Sequence, residues 1–165
     1  MNRRLAIKHV LIFAGGLALL PSCLREEGKV SIQLQNLDIS AAQENLLAEI
    51  AELIIPKTDT PGAKELKLHL FVLKMLDDCY EPEKQQQFIA GLKTFEVHDG
   101  KELAQLVTDA NNSKAGLSEE SIQFFKIMKS RTIGGYLNSK YVMSSLFIWE
   151  LVPGRYNGFF RVKSA

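Results

Sequence analysis

Ser40-Ala41-Ala42-Gln43-Glu44-Asn45-Leu46-Leu47-Ala48-Glu49-Ile50-Ala51-Glu52-Leu53-Ile54-Ile55-Pro56 is the stretch from which the fold can be read. Ser40 and Gln43 make a capping-box pattern, in which the Ser oxygen and the Gln side chain satisfy two backbone donors that a helix start leaves unpaired. Leu46, Leu47, Ile50, Leu53 and Ile54 recur at helical spacing and predict one apolar stripe. Pro56 cannot continue a helix and pushes the residue before it out of helical backbone, so the helix ends near Ile54 or Ile55. A helix with one such stripe must bury it against other elements, and the sequence that follows supplies more helices.

Lys57-Thr58-Asp59-Thr60-Pro61-Gly62-Ala63 reads as a turn, with Pro and Gly at the second and third positions of type II geometry, where Gly supplies a positive φ. A second helix spans about Lys64 to Asp78. Its apolar residues, Leu66, Leu68, Leu70, Phe71, Val72, Leu73, Met75 and Leu76, cover more than one face, which predicts the central, most buried helix. Glu81-Pro82 opens a third, with Pro in the first turn where its missing N–H costs nothing, and Phe88, Ile89, Leu92 and Phe95 as its inner face. A fourth covers roughly Gly100 to Ala110, with Leu103, Leu106 and Val107. Ser118 caps a fifth, Leu117 is set to pack on Ile122 as a hydrophobic staple, and the helix runs through Phe124, Phe125, Ile127 and Met128 to Gly134-Gly135. The remainder differs in character: Tyr136, Tyr141, Phe147, Trp149, Tyr156, Phe159 and Phe160 are interleaved with Gly154 and Gly158. Leu146 to Val152 and Tyr156 to Val162 read as two short extended segments around a turn at Pro153-Gly154.

Upstream, Met1 to Ser22 carries Arg3, Arg4 and Lys8 with no acidic residue, then the apolar run Val10 to Leu20, the layout of a secretory signal. As a helix that run reaches about 16 Å, half of a ~30 Å hydrocarbon core, so a permanent transmembrane helix fits poorly. Asn2-Arg3-Arg4-Leu5-Ala6-Ile7-Lys8 resembles a twin-arginine export signal, though paired basic residues also suit general secretion. Leu20-Pro21-Ser22-Cys23 resembles a bacterial lipobox, which would make Cys23 the lipid attachment point and the first mature residue, in the periplasm-facing cell envelope of a Gram-negative bacterium. An incidental thiol beside an ordinary cleavage site is the bland alternative. Residues 23–39 then read as a polar tether that keeps the globule clear of the membrane, ending in an extended stretch where Val30, Ile32 and Leu34 alternate. The whole is a mostly α, single compact domain of about five helices over 40–165 with a short aromatic-rich extended C-terminal segment, preceded by a signal peptide over 1–22.

Composition limits function. The 165 residues are 46 % hydrophobic and 24 % charged, which suits a packed globule. There are 20 Lys+Arg against 19 Asp+Glu, and loss of Arg3, Arg4 and Lys8 with the leader takes the basic count to 17. No broad cationic face for nucleic acid is present, and membrane attachment would rest on acyl chains rather than charge. Of the two Cys, lipidation of Cys23 leaves Cys79 alone, without an intrachain disulfide. No Cys-x-x-Cys-His, Gly-x-Gly-x-x-Gly or Gly-x-x-x-x-Gly-Lys occurs, so a cofactor on this chain is not expected. His69 reads as a core or boundary histidine rather than a ligand. Asp77 and Asp78 beside Glu81 and Glu83 read as solvated dipole partners at a helix junction rather than a metal site. No catalytic residue and no metal ligand is assigned.

Two stretches carry a family resemblance. Ile54-Ile55-Pro56-Lys57-Thr58-Asp59-Thr60-Pro61-Gly62-Ala63 resembles the signature of the gluconate 2-dehydrogenase subunit 3 family. Phe125, Thr132-Ile133-Gly134-Gly135-Tyr136, Ser139 and Val152-Pro153-Gly154-Arg155-Tyr156-Asn157-Gly158 resemble its second block, and the likeness covers about residues 40–160. It implies a small non-catalytic subunit of an exported, membrane-associated dehydrogenase complex. In such complexes a large flavoprotein of the glucose-methanol-choline type oxidises a sugar or sugar acid and a cytochrome c takes the electrons, so FAD and haem belong to the partner subunits. The small subunit would support folding, export or stability of the large one.

The candidate partner interface is then Thr58, Asp59, Pro61, Gly62, Tyr136, Trp149, Pro153, Gly154 and Tyr156. For Thr58 to Ala63 a bland reading stands beside it: a helix-connecting turn in which Pro and Gly set geometry and Asp59 caps. The aromatic tail suits an interface and equally the closing of a small core. A competing function is a free-standing envelope lipoprotein that binds a small ligand or another protein.

Overall fold

The computed structural model describes residues 30–113, 116–147, 154, 158 and 159. They form five α-helices, α1 (Ala41–Ile54), α2 (Leu68–Cys79), α3 (Pro82–Glu96), α4 (Gly100–Asn111) and α5 (Glu119–Leu137), followed by a π-helical turn, Val142–Leu146. The described residues include no strand, and none of their helices is long and apolar enough to cross a membrane. The expectation of a mostly α domain of about five helices therefore holds.

The capping box at Ser40 is present in both directions: Gln43 N–H donates to Ser40 Oγ at 3.2 Å, and Ser40 N–H to Gln43 Oε1 at 2.9 Å. Helix α1 ends at Ile54, as Pro56 requires. Its buried face is rotated from the expected stripe, because Ala48 and Ala51 join Leu47 and Ile50 inside while Leu53 is exposed. Small residues let a neighbouring helix come close, and counting large apolar side chains alone overlooks them.

Helix α2 begins four residues later than expected. Residues 63–67 form turns, and Lys67, just before the helix, sits in left-handed backbone at φ 54°, a conformation that costs an L-residue with a Cβ roughly 1–2 kcal/mol. Nor is α2 the central element. It packs on α1 and α5, and Phe71, at the contact with α5, is still 41 % exposed.

The centre is α5, which touches every other helix and the π-helical turn. Phe124 lies tilted between Phe88 and Phe95, with ring centroids 4.7 and 4.8 Å away, an arrangement that favours ring edges against faces. Ser121 Oγ donates to Thr94 Oγ1 at 2.8 Å on the same side. Gly91 of α3 permits this crossing, since a Cβ there would meet Phe124 Cβ at 2.5 Å and the backbone of Glu120. The Gly134-Gly135 pair does not end the helix, which continues to Leu137. Gly135 is a contact residue: a Cβ there would lie 2.7 Å from the Phe71 ring.

Residues 30–39 lie along the bundle as a strap instead of standing off it. Val30, Ile32, Leu34 and Leu37 pack against the core and Ile39 is buried, so the expected inward alternation is kept. Two carboxylates hold the strap. Glu44 of α1 accepts from Ser31 N–H and Oγ, both at 2.6 Å. Asp77 of α2 accepts from the N–H groups of Gln35, Asn36 and Leu37 at 2.8, 2.7 and 3.1 Å.

Candidate functional site

The loop between α1 and α2 is built around Glu52, on the last turn of α1. Its Oε1 accepts from Lys57 N–H at 2.9 Å and its Oε2 from Lys64 N–H at 2.8 Å, so one carboxylate closes both ends of the loop. Ala63 N–H donates to Ile55 C=O at 2.9 Å, and Thr58 N–H to Thr60 C=O at 3.1 Å. Gly62 has no positive φ, contrary to the type II expectation. It is required for space, because a Cβ would fall 2.5 Å from both Glu52 oxygens and 2.7 Å from Lys57 N. Ala63 beneath it is fully buried.

Above this frame, Thr58 and Asp59 are exposed while Thr60 and Pro61 are half-buried. Asp59 caps no helix; Lys67 occupies the position before α2. Lys57 pairs with Glu65 at 2.8 Å, which raises the ammonium pKa, but both side chains are more than half exposed. Such a pair shapes the surface more than it stabilises the fold.

Tyr136, near the end of α5, donates its hydroxyl to Thr60 Oγ1 at 3.0 Å. The first motif block thus meets the α5 part of the second: the loop of Thr58, Asp59, Pro61 and Gly62 is tied to Tyr136 by way of Thr60. Phe71 lies against Gly135, the residue before Tyr136. Phe71, Ile133 and Leu137 are exposed large apolar residues, as are Leu146 and Phe147 further along the chain. The exposed Thr58 and Asp59 beside the half-buried Thr60 and Tyr136, all on rigid elements, make a place suited to binding another protein.

Of the remaining candidates, Gly154 is exposed, with open space where a Cβ would stand. Trp149, Pro153 and Tyr156 lie outside the described residues, as do Arg3, Arg4, Cys23 and most of the two expected extended segments. Among the described residues no group of three or more His, Cys, Asp and Glu is placed to hold a metal. The acidic residues near the α2–α3 junction have separate tasks: Asp77 is buried under the strap and Asp78 pairs with Lys74 at 2.9 Å.

Residues 41–154 match the family model described as Gluconate 2-dehydrogenase subunit 3. The chain belongs to that family. No curated protein and no solved structure matches it. The gluconate 2-dehydrogenase subunit 3 family is one of small subunits of dehydrogenase complexes, which work beside other dehydrogenase subunits. The matched span contains the whole Glu52-centred loop, all five helices and Tyr136.

Sequence reasoning did not single out Glu52, Thr60 or the contact between Gly135 and Phe71. Glu52 left one signal. A carboxylate on the last turn of a helix faces the negative end of the helix dipole, an unfavourable place unless nearby N–H groups hold it. Gly135 carried no such mark, since its partner is 64 residues away in the chain and nothing local requires a glycine there.

Proposed function

We propose that this protein is the non-catalytic small subunit of an exported flavin-dependent dehydrogenase complex that oxidises a sugar or sugar acid. Its task is to support the folding, export or stability of a large flavoprotein of the glucose-methanol-choline type. FAD and haem are assigned to the partner subunits, the latter to a cytochrome c. The observation that carries this reading is the family match over 41–154. The meeting of Thr60 and Tyr136 supports it, because it joins the first motif block to the α5 part of the second.

Residues 1–22 are assigned as an export signal with Arg3 and Arg4, and Cys23 as a lipid attachment point facing the periplasm. A flavoprotein must take up FAD before it leaves the cytoplasm and therefore crosses folded, which suits a partner with a twin-arginine-like leader.

Affinity purification of the full chain from its native envelope tests the proposal. A flavoprotein recovered in stoichiometric amount, with flavin absorbance on that partner and none on the separated small chain, is the expected result. A chain that purifies alone, with no flavoprotein, would favour the free-standing lipoprotein instead.

A further inference from the structure

The strap changes how far this protein can stand from a membrane. Residues 30–39 are fastened at two points by carboxylates on two different helices. The Asp77 side chain is wholly shielded from solvent and that of Glu44 is 11 % exposed. Between them they accept the N–H groups of Ser31, Gln35, Asn36 and Leu37, and Asn36 Nδ2 donates to the Asp77 carbonyl at 3.0 Å. Hydrogen bonds to a charged, buried acceptor are worth more than neutral ones, so this fastening is strong where the apolar contacts of the half-buried Val30, Ile32, Leu34 and Leu37 are modest.

The number of residues left outside the strap then fixes the reach. A chain spans at most about 3.3–3.6 Å per residue whatever its conformation. From Cys23 to Val30 that limit is about 25 Å; from Cys23 to Ser40 it is about 60 Å.

We propose that the strap limits the distance between this subunit and the bilayer: fastened by Glu44 and Asp77, it leaves only residues 24–29 between the Cys23 anchor and the body, where without the fastening residues 24–39 would separate them. The proposal rests on the lipid-anchored reading of Cys23. Its consequence is that the end of the body carrying Ser31 and Glu44 is held within about 25 Å of the anchor.

The test uses the full lipidated chain in phosphatidylethanolamine–phosphatidylglycerol vesicles that contain a rhodamine-headgroup acceptor lipid. A donor dye is placed on Cys79, which is exposed. A Glu44→Gln, Asp77→Asn double variant should move the donor away from the bilayer in the mean, by no more than the roughly 35 Å that separates the two limits. Energy transfer falls accordingly, with helical circular dichroism retained. Should the double variant fail to fold, wild type answers alone: hydrogen exchange at the amides of Gln35, Asn36 and Leu37 on vesicles should be at least tenfold slower than in the unfolded chain. Free-chain exchange at those amides in wild type, or an unchanged distance in a folded double variant, overturns the proposal. Intact mass separates the two ways of failing: an unacylated Cys23 removes the anchor reading and the proposal with it, whereas an acylated Cys23 with an unchanged distance removes the strap mechanism alone.

Discussion

The hydroxyl of Tyr136 and Oγ1 of Thr60, 76 positions apart in the chain, meet at 3.0 Å. That bond joins the end of the central helix to the loop after α1. Tyr136→Phe removes the donor and leaves the ring in place. Because Thr60 is half-buried and can turn to water, the expected cost is about 1 kcal/mol or less, read from urea unfolding. If the shared surface binds the large flavoprotein, recovery of that partner should fall by more than the small loss of stability explains. Equal recovery from Tyr136→Phe and wild type would remove Tyr136 from the interface.

Three glycine-to-alanine substitutions should rank by what the new methyl meets. Gly91→Ala drives it into the Glu120 backbone and Phe124 Cβ, neither of which can yield without moving α5. Gly62→Ala meets the Glu52 carboxylate and a backbone nitrogen. Overpacking of this kind costs about 1–3 kcal/mol, with Gly91→Ala at or above the upper end. Gly134→Ala meets nothing within 4 Å in an α-helix, so it should stabilise by about 0.5–1 kcal/mol through helix propensity. Thermal melts of the three variants check the order.

Asp77 makes stability depend on acid. Burial pushes its carboxyl pKa up, but the N–H donors of Gln35, Asn36 and Leu37, with Lys74 at 3.6 Å, outweigh burial and hold it below the ordinary value. With the folded pKa below an unfolded value of about 3.9, the stabilisation is fully present above that pH and is lost as pH falls through the folded value. Asp77→Asn should cost about 2–3 kcal/mol near neutrality and flatten the stability profile below pH ~4. An unchanged acid limb would assign that limb to other carboxylates.

His69 acts at a higher pH. Burial lowers its imidazole pKa; Glu44 at 3.8 Å opposes this, while Lys64 and Lys67 add to it. The folded protein thus holds a neutral ring, while the unfolded chain takes up a proton near pH 6.5. The stability due to the neutral ring is complete above about that pH and declines as pH falls below it. His69→Leu should lessen the decline between about pH 6.5 and 5. A steeper decline in the variant would mean that Glu44 holds a charged imidazolium instead.

The sequence made the helices legible where the signals are local. Ser40 with Gln43, Pro82 at the start of α3 and Ser118 before α5 each mark a boundary that the structure reproduces. Errors arose where a distant partner decides. Gly134-Gly135 reads as a stop until Phe71 is placed against Gly135. Residues 30–39 read as tether until Glu44 and Asp77 are placed beneath them. The motif loop was visible as a turn, but the reason for Gly62 was misread: Pro61-Gly62 is the local pattern of a positive φ, which is absent, while proximity to Glu52 leaves no local pattern.

Glu52, by gripping both ends of its loop, has a kinetic consequence. A loop whose shape is secured within its own chain has little conformational entropy left to lose when another protein settles on it. Encounter then becomes a matter of orientation rather than of folding on contact, and a partner can be captured at rates typical of rigid docking.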